Sequence, residues 1–378
     1  MADFTALDKF LEFFFPSQLR VLLNIVNAET SGNVESAIKT IDVNEFARLT
    51  ELSARHKTDY YLFSYFQQNQ SPVLAAKHKE LREKITQQSI KSLRQLNELI
   101  SLCKALNQKD IEYAVIKGPH LARMLYGNAA VKVSVDLDIL MVKPGDLKAF
   151  HEVLAGAGYA CMEQKLINGT WKQRFFVAAK REVHYYNHAA GCAVDLHVKP
   201  LANTILTAHR YKDFFSDIEQ VPFEGITIPV LPHEKYFVYL CYHAACHQFS
   251  RLAWLLDIRK FYEQKQDTME AEKILAVARY LNMERSVCLA FMMLNVLFDV
   301  AIPRSMKSSV EGSGLLKKLA INCLRAISLE KGGDLKLSPR FDRMVYLIRL
   351  NKGLAAKVDV LLSMVMRQGV GVVFGRNN

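Results

Sequence analysis

The stretch Ser134-Val-Asp-Leu-Asp-Ile-Leu-Met141 places two carboxylates, Asp136 and Asp138, at alternate positions of a β-prone run. In a strand, residues i and i+2 project from the same face, so the two acids would stand together while Leu137 and Ile139 turn into a core. Adjacent carboxylates repel unless a cation lies between them, and an all-oxygen ligand set suits Mg²⁺ or Mn²⁺ better than zinc. A third acid, Asp195, lies in Ala193-Val-Asp-Leu-His-Val198, with His197 two residues on and on the same face. Three carboxylates on neighbouring strands could hold two metals about 4 Å apart for an in-line phosphoryl displacement. The competing interpretation is a solvated Asp-x-Asp at a strand end. Upstream, Lys117-Gly118 falls at a strand–helix junction, where backbone amides, the helix N-terminus and a lysine charge favour phosphate. There is no G-x-x-x-x-G-K-[ST] and no G-x-G-x-x-G, which excludes a P-loop and a dinucleotide fingerprint.

The elements that must position these residues follow from the change of hydrophobic period. Residues 1 to about 108 keep helical spacing, as in Leu19, Leu22, Leu23 and Val26. A first strand is expected over Ile111–Ile116, then a helix with Pro119 at its first position. A second strand is expected over Val135–Val142, then a helix with Asp146 as N-cap and Gly158 closing it. Further β-rich runs are Phe175–Val177, Glu182–Tyr186 and Cys192–Val198. After Pro200 the helical period returns, and from Pro232 onward nearly everything reads as helix, with breaks near Gly312–Gly314 and Gly332–Gly333. The expected fold is α+β. A small mixed-sheet domain (96–231) lies between an N-terminal helical lobe (1–95) and a basic C-terminal helical lobe (232–378).

Composition bounds the function classes. Half of the 378 residues are hydrophobic and 23% are charged, which is a globular balance. The longest uncharged apolar run, Ser286–Phe298, is too short for a bilayer that needs about 20 residues. Asp3, Asp8 and Pro16 interrupt the first thirty residues, which fits no signal peptide. Seven cysteines, an odd number set in apolar stretches, read as reduced thiols of a cytoplasmic protein. From Lys317 onward, twelve Lys/Arg face four acids, so this tail supplies +8 of the net +11. Such a lobe suits polyanions or a membrane surface, and equally a solvated helical face.

Taken in order, these stretches resemble the polymerase-β-like nucleotidyltransferase superfamily, and within it the bacterial family labelled "uncharacterised nucleotidyltransferase". The resemblance rests on Ile116-Lys-Gly-Pro-His-Leu-Ala-Arg-Met-Leu-Tyr126, on Asp136 to Ile139, on Ala157-Gly-Tyr159 and on Asp195-Leu-His197. It also rests on His243-Ala-Ala-Cys-His247 with Arg251-Leu-Ala-Trp-Leu-Leu-Asp257, and it covers about residues 95 to 262. Two departures stand out: Gly118-Pro119 where the superfamily usually has Gly-Ser, and Lys132-Val-Ser134-Val where the family favours Arg-Pro-x-Gly.

The resemblance implies a Mg²⁺-dependent (or Mn²⁺-dependent) transfer of a nucleoside monophosphate, AMP from ATP being favoured, with pyrophosphate release. Asp136, Asp138 and Asp195 would be the metal ligands, and Asp195 is also the candidate base. Lys117, Gly118, Lys132 and Ser134 would bind the nucleotide. His197, His243, His247 and Arg251 are candidate substrate contacts. For His197 the roles of orienting Asp195 and touching substrate stay open beside that of a plain strand histidine. For His243 and His247 the alternative is buried hydrogen-bonders beside a Trp254-Leu255-Leu256 core. His184, Tyr185, Tyr186 and His188 read as a β-hairpin with no chemistry. The acceptor is open among a small molecule, a glycan intermediate, a peptide and an RNA. A toxin-like enzyme modifying tRNA or protein, and a non-catalytic nucleotide-binding scaffold or sensor, are the alternatives.

Overall fold

The computed structural model describes residues 5–31, 42–68, 75–132, 134–163, 181–201, 204–329 and 340–374. Its elements form an α+β fold in which helices precede and follow a seven-stranded mixed sheet along the chain. The chain divides into two compact units, each assembled from distant segments: Met1–Gln88 with Phe237–Leu350, and Ser89–Tyr236 with Asn351–Asn378.

The first unit is helical. It contains α1 (Thr5–Phe14), α2 (Ser17–Ser31), α3 (Val43–His56), α4 (Asp59–Gln68) and the first part of α5 (Ala75–Gln108). To these it adds most of α8 (His233–Cys246), then α9 (Leu252–Lys265), α10 (Ala271–Tyr280), α11 (Glu284–Phe298), α12 (Arg304–Glu311), α13 (Gly314–Ser328) and α14 (Arg340–Leu350). The apolar run that ends at Phe298 is α11, buried on nearly every side as a core helix should be. Asp299 stops it in a left-handed conformation. Among the described residues no helix is long and apolar enough to cross a membrane.

The second unit carries the sheet, in the order β3-β4-β5-β2-β1-β7-β6. The strands are β1 (Tyr113–Val115), β2 (Leu137–Met141), β3 (Ala160–Cys161), β4 (Glu182–Asn187), β5 (Cys192–His197), β6 (Glu219–Phe223) and β7 (Ile226–Val230). The helices of this unit are α6 (Gly118–Tyr126), α7 (Leu147–Gly156), α15 (Leu354–Phe374) and the second part of α5. Leu137, Ile139, Val183, Tyr185, Val194 and Leu196 alternate onto one face of the sheet. There they bury against Leu99, Leu102 and Leu106 of α5 and Leu147, Phe150 and Leu154 of α7. That alternation sends Asp138, Asp195, His184 and His197 to the other face.

Several local expectations shift. β2 begins at Leu137 rather than Val135, because the ladder with β5 starts at Leu137↔Val194 and no pairing precedes it. Asp136 therefore lies just before the strand. α6 begins at Gly118, one residue before the expected Pro119 start. Asp146 sits at the N-cap position of α7 but makes no capping hydrogen bond, because a 3₁₀ turn over Pro144–Asp146 leads straight into the helix. The β6–β7 hairpin occupies a region where returning helical period was expected, and it joins the sheet through parallel pairing of β7 with β1. The Phe175–Val177 run and the Gly332–Gly333 break lie outside the described residues.

Candidate active site

Strand register assembles the site. β2 pairs in parallel with β5, setting Asp138 opposite Asp195, and β5 pairs antiparallel with β4, setting Asp195 opposite His184. One rung of the sheet thus carries acid, acid and imidazole on one face. His184 Nδ1 donates to Asp195 Oδ1 at 2.7 Å. That bond, acting against burial, raises the His184 pKa. His184 is the residue that sequence reasoning passed over. Its signal was the alternation of β4, but its partner follows only from hairpin register.

His197, two residues beyond Asp195, is fully buried and leans the other way. Its Nε2 donates to Asp138 Oδ1 at 2.8 Å. It therefore supports Asp138, not Asp195, and at 1% exposure it is walled off from solvent. Burial, then the charge of Arg181, lowers its pKa and favours the neutral ring. Its Nδ1 lies 3.3 Å from Glu182 Oε2 without forming a hydrogen bond.

Lys117 closes the group. It occupies the N-cap position of α6, with an extended backbone that reverses the chain from β1 into the helix. Its Nζ lies 2.8 Å from Asp138 Oδ1. Burial works to raise the Asp138 pKa, but Lys117 and the His197 bond outweigh it and hold this carboxyl well below the usual range. Asp136 behaves in the opposite sense. Burial, then the charges of Asp138 and Asp195, push it up to about 8, and it shares a side-chain hydrogen bond with Asp195. Burial and the two neighbouring carboxylates thus favour the protonated form of Asp136, as like charges at close quarters do.

Gly118 has φ +69°, a conformation costly to any residue with a Cβ. A Cβ there would meet Asp136 O at 3.7 Å and Ser134 Oγ at 3.8 Å, which is ordinary contact. Gly118→Ala should therefore lower stability by about 1 kcal/mol through backbone strain alone, a difference that chemical denaturation resolves. The same distances place Ser134 beside the start of α6. Lys132 lies at the end of a 3₁₀ turn over Ala129–Val131, and its carbonyl accepts from Ser92 Oγ of α5 at 3.3 Å.

His243, His247 and Arg251 belong to the helical unit. They gather around Trp254, with Leu255 and Leu256 buried beneath. Cys241 is buried and Cys246 half-buried, both as free thiols.

The donor set of the three acids is hard and oxygen-only, the chemistry that magnesium requires. Among the described residues, however, no three His, Cys, Asp or Glu side chains are already posed as a metal-ligand set. The donors fit a divalent cation in kind, and their carboxylates would have to turn to meet one.

The site is thus a mixed sheet with aspartates paired across adjacent strands, beside a Lys-Gly helix start. The family model described as "Uncharacterised nucleotidyltransferase" matches residues 42–299, more than half of the chain, and the chain belongs to that family. Nucleotidyl transfer is thus its general chemistry, with a nucleotide as substrate. No curated protein and no solved structure matches the chain.

Proposed function

We propose that the protein moves a nucleoside monophosphate, AMP from ATP in the favoured case, onto an acceptor hydroxyl. The observation that carries this reading is the pairing of Asp138 with Asp195 on one sheet face beside Lys117, with Asp136, just before the strand, sharing a hydrogen bond with Asp195. Bound Mg²⁺ (or Mn²⁺) would neutralise the three carboxylates and stabilise charge on the α-phosphoryl group. Lys117 and the Gly118 amide hold the triphosphate, with Lys132 and Ser134 on the nucleotide. The acceptor oxygen attacks the α-phosphorus, its proton passes to Asp195, the bond to the bridging oxygen breaks and pyrophosphate leaves. His184 orients Asp195 through the 2.7 Å bond.

Lys117 pairs with Asp138, so binding a nucleotide phosphate would exchange one anionic partner for another. Lys117→Ala should raise the KM for the triphosphate about tenfold or more, while kcat changes less. Initial rates at varied nucleotide check this. A fall in kcat alone would place Lys117 away from the phosphates.

The direct test incubates the protein with α-labelled ATP, GTP, CTP or UTP, Mg²⁺ or Mn²⁺ and a cleared lysate. The Asp136→Asn/Asp138→Asn double variant runs alongside. Label moving to a new species with wild type alone supports transfer and hands over the acceptor, whether metabolite, glycan intermediate, peptide or RNA. Label in tRNA or protein, with growth arrest on expression, selects the toxin-like form. A second reading is favoured by Asp138 Oδ1, which Lys117 and His197 already occupy. Metal-dependent nucleotide binding without pyrophosphate release would make the protein a nucleotide sensor or scaffold.

A further inference from the structure

The turn joining α8 to α9 passes through Gln248 and Phe249 at φ +55° and +48°. Two successive non-glycine residues in the left-handed region strain the backbone, and such strain collects at binding sites. Phe249, fully buried, belongs to a class of bulky side chains rarely found there. The N–H groups of Gln248 and Phe249 donate to the carbonyls of Ala245 and Ala244 at 2.9 and 2.8 Å, which locks the turn. The locked turn fixes His247 at its start and Arg251 at its end.

Around it the side chains form a compact basic and aromatic group. The His243 and His247 rings lie 4.9 Å apart, and each lies within 5.5 Å of the Trp254 ring. The Arg251 guanidinium stands 5.2 Å from the Trp254 ring centre. Arg251 is also the N-cap residue of α9, where the helix dipole favours an anion.

A second arginine comes from α3. Arg55 donates to the carbonyls of Ile327 and Ala326 at 2.8 and 2.6 Å. Burial, then the nearby charge of Arg251, lowers the Arg55 pKa. Beside it, burial, then Arg55, then Arg251, press His56 down to about 3. His56 is thus a neutral ring, whose Nδ1 accepts the N–H of Leu252 at 3.3 Å. Among the described residues neither guanidinium is ion-paired with a carboxylate, and the Arg251 guanidinium makes no hydrogen bond, its carbonyl alone accepting the N–H of Trp254. Arg251 thus stands at a helix N-terminus after a strained turn, and Arg55 of α3, engaged with Ile327 O, Ala326 O and His56 Nε2, adds a second positive charge near it.

We propose that this turn, with Arg55, Arg251, His243 and His247, is a receptor for a phosphoryl group beside Trp254. A dianion matches two guanidiniums, and a planar fork meets two phosphate oxygens at once. The ligand is either free phosphate or the terminal phosphate of a small phosphomonoester. The site lies wholly within the helical unit and needs no metal.

Trp171→Phe leaves Trp254 as the sole tryptophan and the reporter. Its emission is followed while inorganic phosphate or ribose 5-phosphate is added, without magnesium or nucleotide, against chloride of equal ionic strength. This assay succeeds or fails independently of nucleotidyl transfer. A saturable change with the phosphates alone is expected. Tighter binding of ribose 5-phosphate identifies a phosphomonoester site, and equal binding identifies a site for free phosphate. Arg251→Gln should weaken either ligand at least about tenfold, and Arg251→Lys, which keeps charge but loses the fork, should weaken it less. No saturable change, or wild-type affinity in Arg251→Gln, overturns the proposal. Circular dichroism checks folding. If Arg251→Gln does not fold, Arg251→Lys decides, and wild-type affinity there is equally fatal.

Discussion

Asp136→Asn and Asp138→Asn should each reduce nucleotidyl transfer by about 10³-fold, a loss of several kcal/mol of transition-state stabilisation, yet move stability in opposite directions. Asp138 is the partner of Lys117 at 2.8 Å and of His197 at 2.8 Å. Its replacement by a neutral amide removes the carboxylate that Lys117 and His197 share, at about 1–3 kcal/mol. Asp136 is placed otherwise, among like charges. Burial and the charges of Asp138 and Asp195 raise its pKa from 3.8 to about 8. A carboxyl whose pKa is raised on folding binds its proton more tightly in the native state. Stability of the metal-free protein therefore falls as pH rises from about 4 to about 8, because over that range the unfolded state has given up the proton that the native state still holds. Asp136→Asn removes this fall and should equal or exceed wild type at pH 8. Denaturant unfolding in EDTA at pH 5, 6.5 and 8, beside single-turnover rates with Mg²⁺, measures both effects. Wild-type rates in either variant, or equal destabilisation by both, would sink the assignment of these two acids.

The contrast between the two aspartates shows where residue order stops being informative. Alternation in Cys192–His197 and in Leu137–Met141 announces which side chains share a face, and both strands carry their acids where period two puts them. It does not announce which strands lie side by side. The rung Asp138–Asp195–His184 arises from a parallel pairing and a hairpin register, so His184 looked inert until its neighbour was known. His197 turned toward Asp138 for the same reason. β6 was hidden because Pro222 and polar residues dilute its pattern, which an edge strand tolerates since one side needs no ladder partner. The grouping of the chain into units is also non-local. A cut at 95 and 231 follows changes of period, whereas the compact units join Ser89–Tyr236 to Asn351–Asn378.

Asp359 is the residue that ties that last segment in, and its loss should be the most destabilising single change in the second unit. By sequence it is merely one of four acids in a basic tail. In the fold it is wholly buried on α15. Its Oδ1 accepts the N–H groups of Ile205 and Leu206 at 3.1 and 2.6 Å, and its Oδ2 accepts the N–H and hydroxyl of Thr207 at 2.9 and 2.6 Å. One carboxylate therefore satisfies three backbone donors of the segment that follows β5. In Asp359→Asn, whichever way the amide turns, an NH₂ group faces donors where an oxygen stood. Buried donors left unmet cost about 1–3 kcal/mol apiece, so a total near 3–5 kcal/mol is expected even after local relaxation. Asp359→Ala should be no milder, since a cavity replaces the acceptor. Urea unfolding followed by far-ultraviolet circular dichroism measures the loss, and amide exchange should show Ile205, Leu206 and Thr207 opening first. The acids of the site stand on β2 and β5, held by sheet pairing. Turnover of the folded fraction should therefore change less than stability does. A variant with wild-type stability would mean that water replaces the carboxylate at no cost, and α15 would then be held by its apolar contacts alone.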